Sequence, residues 1–169
     1  MSARRQLPFD PIAEATRQWE SHGWEEAAPA MAIVTSIMRL QQVFLSRADA
    51  ALRPIGLTFA RYEVLMLLTF SSHGSMPLGK IGERLQVNPA SVTNAVDRLE
   101  AHGLVVRRAN PDDGRGTLAA ITAAGRRASG RATAQMNAEM FADLGLDAAS
   151  LGRLFDPLAR LRQAAGDFA

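Results

Sequence analysis

Residues 88–103 read Asn88-Pro89-Ala90-Ser91-Val92-Thr93-Asn94-Ala95-Val96-Asp97-Arg98-Leu99-Glu100-Ala101-His102-Gly103, and the reading of this stretch settles how the rest of the chain is arranged. Asn88 is a good helix N-cap, Pro89 suits the first helical position, where an N–H has no intrahelical partner anyway, and Gly103 ends the run. At about 100° per residue, Val92, Val96 and Leu99 fall together as an inward face. Ala90, Ser91, Asn94, Asp97, Arg98 and Ala101 lie opposite, with Thr93 at the edge. That outer face is small and polar apart from one Asn and one Arg able to make bidentate contacts. A DNA major groove admits such a helix, because Asn can pair with adenine N6/N7 and Arg with guanine O6/N7 or a phosphate. Two adjacent amphipathic helices of an ordinary bundle have the same pattern, so the flanking sequence has to decide.

On the N-terminal side, Ile81-Gly82-Glu83-Arg84-Leu85 supplies a short helix from about Leu78, followed by a turn at Gln86-Val87. Gly82 stands where two helices of a helix-turn-helix come closest, and its missing side chain permits that approach. On the C-terminal side, Leu104-Val-Val-Arg-Arg108 reads as a strand, Asn110-Pro-Asp-Asp-Gly114 as turn chemistry, and Thr117–Ile121 as the returning strand. A hairpin directly after the second helix makes a wing. Arg115 at its tip can reach a minor groove, and Asp113 can hold that side chain in place. By itself an Asp-x-Arg is equally a solvated turn with a surface ion pair worth little.

Outward from this centre the chain is helical. Asp10 and Pro11 start a short helix to about His22, with Gly23 past its end; Ile33, Ile37, Leu40, Phe44, Ala48 and Ala51 mark a long one from about Pro29 to Leu52, stopped by Pro54 and Gly56. Thr58 is expected to cap the next, whose broad stripe includes Phe59, Tyr62, Leu65, Met66 and Thr69, and Ser71 to Pro77 breaks it. Thr122 caps a helix to about Phe141. Asp147 caps a last one carrying a single stripe of Leu151, Leu154, Phe155, Leu158 and Leu161. The expected fold class is mainly α with a small β-hairpin wing: a winged helix-turn-helix at 57–122, an N-terminal extension and dimerisation helix at 1–56, and C-terminal dimerisation helices at 123–169.

Composition narrows the function. With 169 residues, 47% apolar and 21% charged, the chain can bury a real core. It has no cysteine, which excludes disulfides, thiolate metal sites and thiol nucleophiles, and its three histidines (His22, His73, His102) have no metal-ligand spacing. No metal and no cofactor are expected. Neither a Gly-x-Ser-x-Gly elbow nor a phosphate-cradling Gly-rich loop is present, so an enzyme is not expected. Net charge is only +2, yet residues 80–131 hold nine basic and five acidic side chains, which leaves the rest of the chain slightly negative. A basic middle suggests a module that faces a polyanion. No apolar run approaches the length of a membrane span and the N-terminus lacks an apolar signal core, so a cytoplasmic protein without a membrane partner is expected.

Residues 57–125 resemble the MarR family of winged-helix transcription regulators. The matching stretches are Leu57-Thr58, Ile81-Gly-Glu-Arg-Leu85, Ser91-Val-Thr-Asn-Ala-Val-Asp-Arg-Leu-Glu100, Gly103-Leu-Val-Val-Arg-Arg108, Asp113-Gly-Arg115 and Ile121-Thr-Ala-Ala-Gly125. The resemblance implies a homodimer with interleaved terminal helices, double-stranded DNA with an inverted-repeat operator as partner, and release of that DNA by a small organic effector, commonly anionic or phenolic. Asn110-Pro-Asp112 stands where the family often has Asp-Pro-x-Asp, which implies a reduced wing salt-bridge network; the lack of cysteine separates the chain from the thiol-sensing branch. We take Lys80, Pro89, Ser91, Thr93, Asn94, Arg98, Arg108 and Arg115 as the candidate DNA contacts. The leading helix with its tryptophan is similar to that of the urate-responsive subgroup, and by position Trp19, Glu63 and Arg107 match its ligand site, with Glu63 expected to hold Arg107 when the site is empty. Ala95 replaces a further arginine of that subgroup, which speaks against urate itself. Trp19 as an anchor for dimer packing, and Arg107 as a phosphate contact, remain open alternatives. So do a regulator without an effector and a winged helix used for protein contacts.

Overall fold

The structure is a computed structural model that describes residues 7–111 and 113–169; the side chains of residues 113–115 lie outside that description. The chain divides into two compact units, Met1–Ala50 and Ala51–Ala169. In the first, α1 (Pro11–Ser21) starts where the Asp10 carboxylate accepts the Ile12 N–H at 2.9 Å, and it ends with His22 at the cap and Gly23 at φ +81°. The helix that follows, α2 (Ala28–Leu52), begins in this unit and its last two residues belong to the second, where Arg53–Ile55 tighten into a 3-10 turn around Pro54 and Gly56 reverses the chain at φ +78°. Ile33, Val34, Ile37, Met38 and Leu40 are all exposed on α2. The segment Ala28–Ile55 is long and apolar enough, by length and composition, to cross a membrane, with a mean hydropathy of 1.2 in its most apolar window. This corrects the expectation that no run approaches that length: Arg39 and Arg47 interrupt the run to the eye without removing its average hydropathy.

The second unit places α3 (Phe59–Phe70), α4 (Leu78–Leu85), α5 (Pro89–Ala101) and α6 (Ala123–Met136) around a three-stranded antiparallel sheet of β1 (Ser75–Pro77), β2 (Val105–Asn110) and β3 (Asp113–Ile121), in the order β1-β3-β2. Val105 lies opposite Ile121 and Arg107 opposite Ala119, while Met76 flanks Ala119 from the other side. Strand β1 was expected as a break. Three residues are too few to show alternation, and Pro77 is tolerated because β1 is an edge. The wing strands also run further than expected, to Asn110 on β2 and from Asp113 on β3, with the register shifting between Ala109 and Asn110.

The core is formed by Leu65, Leu68, Ile81, Val92, Val96, Leu99, Val105 and Met136, all but sealed from solvent. Tyr62 Oη pairs with Thr133 Oγ1 at 3.1 Å and Thr69 Oγ1 with Ser129 Oγ at 3.2 Å, so α6 is fastened to α3 within this unit. Gly125 is required there: a Cβ would stand 2.1 Å from the Leu104 carbonyl oxygen. After α6, Asn137–Phe141 form one wide turn in which the Ala142 N–H reaches the Asn137 carbonyl at 2.8 Å. Then α7 (Ala148–Ala164) follows, capped by Asp147, whose carboxylate accepts the Ser150 N–H, and interrupted by Pro157 without breaking. At its end Arg162 pairs with Asp167 and lies over the Phe168 ring, and the Gln86 side-chain amide donates to the Asp167 carbonyl at 2.7 Å.

Candidate nucleic-acid interface

The outward helix is α5, and its start is well fixed. The Asn88 side-chain oxygen accepts the Ser91 N–H at 2.8 Å, and Pro89 occupies the first turn. The turn before it closes through the Val87 N–H on the Gly82 carbonyl at 3.1 Å, with Gln86 in the left-handed region at φ +53°. A Cβ on Gly82 would meet the Val87 carbonyl at 3.2 Å and the Val92 side chain at 3.4 Å, so the two helices do approach closely here, though less tightly than at Gly125. Val92, Ala95, Val96 and Leu99 are buried behind α5.

In front, Pro89, Ser91, Thr93, Asn94, Asp97 and Arg98 are all exposed. Two open grooves flank this face. One, of about 810 Å³, runs between α5 and the start of α3 past Thr58, Arg61, Ser91 and His102. The other, of about 590 Å³, includes Thr93 and Asp97. Asn94 and Arg98 border both, which makes them the crest of the helix. Lys80 on α4 and Arg108 on β2 are exposed as well. Arg115 lies on β3, but its side chain, like that of Asp113, is outside the described residues. The eight candidate contacts thus fall on α4, α5 and the two wing strands.

The three candidate ligand residues are arranged otherwise. Arg107 donates from Nη1 to Glu100 Oε2 at 2.5 Å, from Nη2 to Asp97 Oδ1 at 2.6 Å, and from its backbone N–H to Glu100 Oε1 at 2.9 Å. Glu63 is not among its partners, contrary to expectation. The cause is local: the turn at Gly103 folds β2 back along the last turn of α5, which brings Glu100 to Arg107 across only seven residues. The Arg107 N–H and guanidinium hold the Glu100 carboxyl below the usual carboxylate range. Glu63, half-buried on α3, has the opposite character, with burial pushing its carboxyl up. Trp19 lies in the first unit against Trp24, edge to face, with ring centroids 5.4 Å apart. The groove beside this pair is bordered by Gly23, Glu26 and Ala27, and His22 stacks on the Trp24 ring with centroids 5.8 Å apart. The clamp on Arg107 was missed in the sequence, although Glu100 and Arg107 on either side of Gly103 were its signal.

Comparison with known proteins adds to this geometry. The model of the MarR family matches residues 57–117. The chain is similar to Sco5413, a MarR family transcriptional regulator from Streptomyces coelicolor, at 54% identity and a TM-score of 0.76, over 83% of this chain and 97% of that one. It is 31% identical over 124 residues to the HTH-type transcriptional repressor Rv2887 of Mycobacterium tuberculosis, covering 73% of this chain and 83% of the relative. It also resembles CouR from Rhodococcus jostii RHA1, solved bound to p-coumaroyl-CoA, at 28% identity and a TM-score of 0.67, over 76% and 90% of the two chains.

Proposed function

Because the chain belongs to the MarR family of winged helix-turn-helix transcriptional regulators, whose members are not enzymes, we propose that it works as a homodimeric repressor on an inverted-repeat operator. The observation that carries this reading is the crest of α5. Asn94 and Arg98 stand free on a helix whose opposite face is locked into the core, so their positions are set by the fold. Ser91 and Thr93 extend the contact along the groove, while Lys80, Pro89, Arg108 and Arg115 serve the backbone.

Dimerisation accounts for the exposed apolar stripes. Ile33, Val34, Ile37 and Met38 on α2, and Leu154, Phe155 and Leu161 on α7, are too many to leave in water, and a two-fold interface buries both sets at once. The same requirement explains why α2 is apolar enough to pass for a membrane span, and the reading places the protein in the cytoplasm without a membrane partner. A two-fold axis sets the two copies of α5 about 34 Å apart on one face of the duplex. Release by a small organic effector, anionic or aromatic, belongs to the same reading, and CouR, solved with p-coumaroyl-CoA, supports it. If Arg107 receives that anion, it must first give up Asp97 and Glu100, so binding there would be coupled to movement of the wing.

The test is equilibrium binding of the full chain to the duplex upstream of its own gene, at several salt concentrations, against random duplex. Specific affinity should fall steeply with salt through counterion release. Asn94→Ala should lose about 10- to 100-fold on the operator and little on random DNA, whereas Lys80→Ala or Arg108→Ala should weaken both and flatten the salt slope by about one unit. Equal losses on both duplexes for Asn94→Ala would remove base reading from α5. Salt-insensitive association would favour a winged helix used for protein contacts.

A further inference from the structure

We propose that Asp97 is a further base-reading residue of α5, accepting a hydrogen bond from the exocyclic amino group of a cytosine in the major groove, and that Arg107 on β2 is the positioning residue that fixes its carboxylate in that pose. The inference rests on the proposal that α5 enters the major groove. Asp97 borders the same groove as Thr93, Asn94 and Arg98, and its side chain is 57% exposed even while paired. Only Oδ1 is engaged, by Arg107 Nη2 at 2.6 Å; Oδ2 has no partner among the described residues. Arg107 cannot follow the carboxylate freely, because Glu100 holds its Nη1 and its backbone N–H from the other side. The guanidinium is thereby a fixed strut between wing and helix, with Asp97 at its outer end.

An acidic side chain facing DNA ordinarily repels the phosphates. Here a guanidinium at hydrogen-bond distance offsets that repulsion and leaves one oxygen able only to accept. In the major groove guanine presents two acceptors and thymine an acceptor and a methyl group, which a carboxylate rejects. Adenine places an acceptor beside its amino group, whereas cytosine presents the amino donor alone. A carboxylate held in place therefore selects cytosine, and it does so by excluding the other bases.

Selection from a duplex pool with a randomised centre, followed by sequencing, tests this with the full-length protein. The wild type should enrich an inverted repeat with one strongly preferred cytosine in each half-site. Asp97→Ala should enrich the same repeat with that preference reduced at least tenfold, and Asp97→Asn, which can also donate, should admit guanine or thymine there. Arg107→Gln should blur the same position, because the carboxylate is then free to turn, and Arg107→Lys should restore part of it. Glu100→Gln, which keeps only one of the two acceptors that hold Arg107, should weaken the preference by less than Arg107→Gln does. A base profile unchanged in Asp97→Ala, or affinity raised equally on all sequences, would overturn the inference and leave Asp97 as an anchor for the wing. Failure of the wild type to enrich any repeat would overturn it together with the DNA reading, and the two failures are told apart by the wild-type pool.

Discussion

Leu65, Ile81, Val96 and Leu99 are sealed inside the winged-helix unit, while Ile33, Met38, Leu154 and Phe155, no less apolar, stand open on α2 and α7. The first set has partners from α3 to α6 and the sheet, all within one chain. The second set is not sealed in this way: α7 buries no residue, and Phe155 is 67% exposed. One region is finished by its own sequence; the other leaves apolar surface open, which the proposed dimer would cover. Local signals such as caps, turns and one-sided stripes therefore describe the helices of the first, whereas the open stripes of the second go unexplained by anything within the chain.

The comparison breaks first at the stripe of α7. If a second copy covers it, Phe155→Asp must bury a charge in an apolar interface, and the dimer should weaken by at least about 100-fold, near 3 kcal/mol. Sedimentation across a micromolar range should show monomer for the variant and dimer for the wild type, with the winged helix still folded by near-UV circular dichroism. A variant that stays dimeric would mean that α7 lies outside the interface.

Within the finished unit, two glycines sharpen the contrast between close and merely near packing. Gly125→Ala puts a methyl 2.1 Å from the Leu104 carbonyl oxygen and 2.8 Å from Ile121, so α6 has to move off β2 and β3. A loss of about 3 kcal/mol is expected, at the upper end for overpacking. Gly82→Ala meets its neighbours at 3.2 and 3.4 Å, and the better helix propensity of Ala, worth about 1 kcal/mol, offsets that contact. Urea unfolding should therefore separate the two variants by several kcal/mol, with Gly82→Ala near the wild type.

A smaller contrast lies in the helix caps. Asn88, Thr122, Asp147 and Asp10 each accept a backbone N–H of the helix they start, but Thr58 does not; its oxygen takes the Arg61 Nε instead, at 3.1 Å. Asn88→Ala should cost about 1 kcal/mol and Thr58→Ala clearly less.

These cases show what the sequence could reveal. The helix order, the α5 start and the buried face of Val92, Val96 and Leu99 were legible, because each is fixed by residues within a turn or two of one another. Strand β1 was hidden, since its pairing partner Ala119 lies over forty residues away and Ser75-Met76-Pro77 carries no period. The residues proposed to face DNA were legible as one face of a helix, whereas the ion pair that holds Asp97 joins two elements and shows only in the fold. The ligand residues were read by position in a resemblance, and position could not show that the Glu100 and Asp97 carboxylates already occupy the Arg107 guanidinium.

The smallest expected effect concerns Glu63, which, unlike Glu100, has no ion-pair partner among the described residues. Glu100 is held below the ordinary carboxylate range by the Arg107 N–H and guanidinium, so its contribution is present at neutral pH and is lost as pH falls through its lowered value. Glu63 is raised by burial from an ordinary value of 4.5, so the folded state keeps its proton longer than the unfolded chain does. Its contribution runs the other way: no penalty below pH 4.5, then a loss of stability as pH rises from there through the raised folded value, constant above it. Glu63→Gln removes the titrating group and keeps the shape. Its melting temperature should match the wild type at pH 4 and exceed it modestly at pH 7, by less than Asn88→Ala lowers it, with the gap opening between the two. A Glu63→Gln protein less stable than the wild type at pH 7 would show that the charge has a partner after all, and the second protomer would be the place to look for it.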